Sequence, residues 1–131
     1  MQVVLSLTNN VPSATSTAVA GGVNWALHVV PLPSETLEFI QGGVVSDVST
    51  GVITTGPGAI CFNSIGRLVA NASPGVAGAT CTIDAANPTT NYVITLGGAD
   101  RPLRVTVALG GQVRMCDPNH SLASGFADGC S

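Results

Sequence analysis

The residues best suited to chemistry gather near the C-terminal end. Arg101, Arg104 and Arg114 are three of the four cations in a chain that has no lysine. Cys116 and Cys130 bracket Asp117, Asn119, His120, Ser121 and Asp128. The three arginines suggest a small basic patch for a phosphate backbone; arginines solvated or paired with acids are the simpler expectation. Asp117, Asn119, Ser121 and Asp128 fall at positions 1, 3, 5 and 12 of a calcium-loop pattern, but Leu122 stands where that loop requires glycine. The segment therefore reads as a structural loop closed by a disulfide, with no metal expected. Ser121, His120 and Asp117 are close in sequence, yet there is no G-x-S-x-G elbow and no nucleophile beside a positioned base. Neither a catalytic residue nor a cofactor is expected.

Bulk composition narrows the function classes. The 131 residues carry a net charge of −3, which argues against a protein devoted to gripping nucleic acid, because phosphate contacts dominate that affinity. Glu is scarce, Lys is absent, and Val, Thr, Ser and Gly are plentiful, a balance that favours strands and turns over helices. Four cysteines in a small domain suggest two disulfides and an oxidising compartment. Three pairings are possible. The pairing of sequence neighbours, Cys61 with Cys81 and Cys116 with Cys130, is the expected one. Zinc fingers need close cysteine pairs, and none occurs. No run approaches the roughly 20 apolar residues of a membrane helix. The start, Met1-Gln2 followed by Val3-Val4-Leu5, lacks a basic region and a cleavage site, as expected of a domain whose front has been removed.

The elements that must hold these residues are strands. Residues 2–8 and 24–30, 35–40 stopped by Gly42-Gly43, 59–63 and 68–70 around the turn at 64–67, 81–83, 91–96, 103–109 and 112–116 carry β-type patterns. Residues 44–52 are a weaker strand candidate, and Thr54 to Gly58 reads as a turn cluster. Residues 9–22 read as a long loop. Gly110-Gly111 suggests a two-residue hairpin, pairing Leu109 with Gln112 and Val107 with Arg114, which leaves Arg104 opposite Asp117 for a salt bridge. Trp25, Phe39, Phe62 and Tyr92 are expected in the core, and His28 on the polar side of its strand. Residues 1–131 then form one mainly β domain of antiparallel sheets, sandwich-like.

Two stretches carry a resemblance. Ile60-Cys61-Phe62-Asn63-Ser64-Ile65-Gly66-Arg67 resembles the I-x-F-x-S-x-G-R hairpin of the GspH/FimT-like minor pilins, and Gly111-Gln112-Val113-Arg114-Met115-Cys116 resembles their G-R-x-R-x-C end. Asn24-Trp25-Ala26 looks like the family's Gly-Trp strand, and the matches keep the family order over residues 24–130. The resemblance implies a pilin-like globular β domain preceded by a leader and a hydrophobic N-terminal helix, which anchors the subunit in the inner membrane and later packs in the pilus core. That helix is absent from this chain, so an apolar strip of the sheet is expected to be exposed. The implied role is non-enzymatic: a subunit at the tip, or in the assembly-initiating complex, of a type IV pilus or type II secretion pseudopilus, at the cell surface or in the periplasm. The implied partners are other major and minor pilins. Some FimT members bind DNA through the C-terminal arginines. Here Gln112 replaces the first of these and Arg114 remains, so double-stranded DNA held by Arg114, Arg101 and Arg104 is the second reading. A secreted β-sandwich adhesin is the third.

Overall fold

The computed structural model describes residues 1–45, 51–99 and 101–130. Nine strands form two antiparallel sheets, and no α-helix occurs among the described residues. The chain is mainly β and sandwich-like, as its composition implies. Among the described residues, no helix is long and apolar enough to cross a membrane.

The first sheet has the order β3-β2-β1-β5-β6, formed by Glu38–Gly43, Asn24–Val29, Val3–Thr8, Ala59–Phe62 and Leu68–Val69. The alternation in β1 and β2 becomes two unlike faces. On one face Val4 lies opposite His28 and Cys61, and Ser6 lies opposite Ala26 and Ala59. All of these are buried. They lie under residues 9–22 and 71–81, whose Ala18, Val76, Ala79 and Cys81 complete the core. Polar groups tie the covering chain down: Asn24 Nδ2 donates to Asn10 O at 3.1 Å, and His28 Nε2 donates to Ser13 O at 3.0 Å. A buried polar group needs such a partner. His28 is thus wholly buried rather than on a solvated side.

The second sheet has the order β4-β7-β8-β9, formed by Val52–Thr55, Thr90–Leu96, Leu103–Val107 and Val113–Cys116. Its pairing sets Tyr92 opposite Val105, Ile94 opposite Leu103, Val105 opposite Met115 and Val107 opposite Val113. Because directly paired residues share a face, one side of this sheet is almost wholly apolar. That side meets the second face of the first sheet, where Ile60, Leu68 and Val107 are buried together and Leu5, Phe62 and Tyr92 pack around them. Beyond this joint the sheets part, leaving a groove of about 180 Å³ lined by Leu5, Leu7, Thr54, Tyr92, Ile94 and Val105.

Several expectations are corrected. Thr54 and Thr55 belong to a strand, Val52–Thr55, paired with β7 rather than to a turn cluster; most of the strand candidate at 44–52 falls on residues 46–50, which lie outside the described residues. The third strand continues through Gly42 and Gly43 instead of stopping there. A Cβ at Gly43 would overlap the Trp25 ring, so glycine lets the indole lie across the neighbouring strand. Cys81 makes only an isolated bridge to Asn71. The turn between β8 and β9 holds Leu109, Gly110 and Gly111, with Ala108 N donating to Gln112 O and Gly111 at φ 89°. One left-handed glycine closing a three-residue loop replaces the two-glycine turn and moves the register by one position. Trp25, Phe39, Phe62 and Tyr92 are half-buried, and the most deeply buried side chains are His28, Val4, Thr8, Pro74, Cys61 and Ser6.

Candidate functional site

Strand β9 is an edge strand that passes directly into the C-terminal loop. The Cys116–Cys130 disulfide closes that loop with its Cα atoms 4.9 Å apart; Cys61–Cys81 is the second disulfide. Both expected pairings are present. Inside the clasp, Asp117 N donates to Asp128 O at 2.6 Å and Cys130 N donates to His120 O at 3.3 Å, so the loop folds back on its own start. Ser121 caps a short 3₁₀ turn, Leu122–Ser124, by accepting from Ala123 N, and Gly125 in the left-handed region ends it. This turn returns Phe126 to His120, where the two rings stack with centroids 4.2 Å apart and planes 18° from parallel.

The folding-back brings four ionisable side chains together. Asp117 is 3% exposed, and its Oδ1 accepts from Asn119 N at 2.8 Å. Its Oδ2 is buried without a hydrogen bond, 3.6 Å from both His120 Nδ1 and Arg101 NH1. His120 Nδ1 lies 3.0 Å from Asp128 Oδ1, while Arg101 NH1 donates to Asp128 Oδ2. The hydrogen bond from His120, joined by that from Arg101, holds the Asp128 carboxyl below the usual aspartate range. The potential ligand atoms of Asp117, His120 and Asp128 all lie within 4.8 Å of one another.

The three C-terminal arginines gather round the base of the C-terminal loop, with Arg104 and Arg114 diagonal neighbours on one face of the second sheet, but Arg101 and Arg114 are engaged within the domain rather than presented as a free patch. Arg101 is engaged by the two aspartates. Arg114 lies opposite Thr106 and donates to Gly129 O at 3.0 Å. Arg104 lies opposite Cys116, not Asp117, because of the altered register, and its Nε is buried without a hydrogen-bond partner. Arg101 therefore takes the salt bridge expected of Arg104. Of the calcium-loop positions, Asp117 and Asp128 come together, whereas Asn119 enters an Asx turn through its backbone and the Ser121 hydroxyl is the cap just described. Sequence spacing missed the grouping of Arg101 with Asp128, 27 residues apart, and the part played by His120. Only the shared clasp hints at it, because the cysteines force residues 117 and 128 into contact.

The two stretches that carry the pilin resemblance touch in space. Leu68 N donates to Leu109 O at 2.9 Å, and Gly111 sits so close to Gly66 O that a Cβ there would overlap it. Comparisons of the chain with protein-family models, with curated proteins and with solved structures found no match.

Proposed function

We propose that this chain is the globular domain of a non-enzymatic filament subunit: a minor pilin or pseudopilin of the GspH/FimT kind. It serves at the tip, or in the assembly-initiating complex, of a type IV pilus-like fibre. It is held in the inner membrane by an apolar helix before assembly, and its partners are other pilins.

The observation that carries this reading is the open apolar face shared by the two sheets. Leu5 and Leu7 on one sheet and Tyr92, Ile94 and Val105 on the other line the groove. The same side of the second sheet continues to Leu103, Val113 and Met115, which are 45%, 64% and 67% exposed. A contiguous apolar surface of this kind marks an interaction site. A groove with one apolar wall from each sheet suits the flank of an apolar helix. The disulfide-closed loop beside edge strand β9 supplies a rigid lateral contact.

The DNA-receptor reading has less support. Arg101 and Arg114 are already bonded within the domain, and a chain of net charge −3 with so few free cations releases few counterions. Disruption of the gene in its organism of origin tests the proposal. Fibres are expected to disappear or become sparse, wild type to restore them, and a Val105→Asp, Met115→Asp variant to fail. Normal fibres in the null strain would overturn the assignment and favour the adhesin reading.

A further inference from the structure

The geometry points to a divalent transition-metal site of zinc's class, formed by Asp117 Oδ2, His120 Nδ1 and Asp128 Oδ1 on the C-terminal loop. It does not depend on the filament assignment. Tetrahedral zinc holds oxygen and nitrogen ligands at about 2.0–2.1 Å, which sets ligand–ligand edges of about 3.3 Å. Here one edge is 3.0 Å, a second is 3.6 Å, and all three atoms lie within 4.8 Å of one another. Small side-chain rotations bring the three onto one ion.

Two further observations point to a ligand in addition to the ion pairs among these four side chains. Asp117 is 3% exposed, yet its Oδ2 faces the triangle with no hydrogen bond. A buried carboxylate oxygen left without a donor is costly, and a coordinated cation satisfies it directly. Its sister oxygen is already fixed by Asn119 N, so Asp117 is aimed as a monodentate ligand. His120 is held by the Phe126 stack with Nδ1 turned into the triangle. Arg101 NH1 donates to Asp128 Oδ2, the oxygen outside the proposed ligand set, and lies 3.6 Å from Asp117 Oδ2, so it braces both carboxylates, as outer-shell partners do at metal sites. An imidazole in the ligand set favours zinc and its neighbours over calcium, which takes oxygen ligands. The fourth position faces solvent, since His120 and Asp128 are both partly exposed.

The test uses tag-free protein and Zn²⁺ alone, followed by calorimetry and by ¹H–¹⁵N spectra of the imidazoles. One saturable site per chain is expected, with the His120 Nδ1 resonance moving on binding. His28, buried and bonded to Ser13 O, stays unmoved and serves as the internal control. His120→Ala and Asp128→Asn should each weaken binding at least tenfold while keeping the wild-type circular dichroism. These two partly exposed positions carry the test because replacement of buried Asp117 endangers the fold. Ca²⁺ should give no saturable heat over the same range. Absence of saturable zinc binding, unchanged affinity in both variants, or calcium binding as tightly as zinc would each overturn the assignment.

Discussion

Tyr92 shows how one side chain can report on the apolar groove. It is the sole tyrosine, and burial pushes its phenol up to about 12 from the ordinary value of 10.0. Its folded pKa is raised, so its contribution to stability is fully present below pH 10 and is lost as pH rises from 10 through 12. The window is otherwise quiet: the chain has no lysine, and its four cysteines are in disulfides. Urea midpoints should therefore fall between pH 9.5 and pH 11.5, on the scale set by the shift, and the fall should vanish in Tyr92→Phe. An unchanged slope in that variant would place the alkaline loss elsewhere. Residue-level expectations were least secure where they concerned depth. The aromatics were expected in the core because they are large and apolar, yet the deepest layer of the first sheet holds Val4, Ser6, Ala26 and Cys61. Loops of small residues lie close against that face, and the ring fully buried there is the imidazole of His28, which has a polar partner in Ser13 O.

At the level of elements, period-2 alternation was legible because the two faces of a strand meet unlike surroundings, most plainly in β1 and β2. It located β1, β2, β7, β8 and β9 almost to their ends. It did not reveal β4, because Thr54-Thr55 next to Gly56-Pro57-Gly58 resembles a turn when no pairing partner is in view. Nor did it give the β8–β9 register, which rests on whether one glycine or two adopts positive φ. Gly111 is at φ 89° with Gly66 O where a Cβ would go, whereas Gly66 is at φ 82° with open space around it. Both alanine substitutions carry left-handed strain of about 1–2 kcal/mol, but only Gly111→Ala adds a backbone overlap. Thermal unfolding should show Gly111→Ala as clearly the worse of the two. The clasp allows a second comparison: replacing Cys116 and Cys130 together by alanine should cost about 3 kcal/mol for a loop of this length. It should also separate Arg101 from Asp128, so the loop amides should lose hydrogen-exchange protection before those of β1 and β2.

For the whole molecule, composition and alternation were enough to predict a mainly β domain of antiparallel sheets, whereas the expectation of an exposed apolar strip came from the pilin resemblance. How the sheets meet was not legible, since the joint at Ile60, Leu68 and Val107 and the groove beside it join residues from distant parts of the chain. The open face predicts a dissociation between surface and stability. Val113→Thr together with Met115→Gln changes two exposed side chains, so unfolding should shift by no more than about 0.5 kcal/mol per substitution. Binding of an apolar dye and any self-association should nevertheless drop markedly. Equal dye binding in the variant would show that the patch is not the adhesive surface.

The clasp at the base of the C-terminal loop also sets a boundary. With the Cα atoms of Cys116 and Cys130 fixed 4.9 Å apart and Asp117 bonded to Asp128 just inside them, the sheets register only the two ends of the loop. What lies between can lengthen, shorten or change in character with little effect on the strands. The domain thus carries a loop whose content is insulated from the frame, so what the surface presents is separable from how the chain folds.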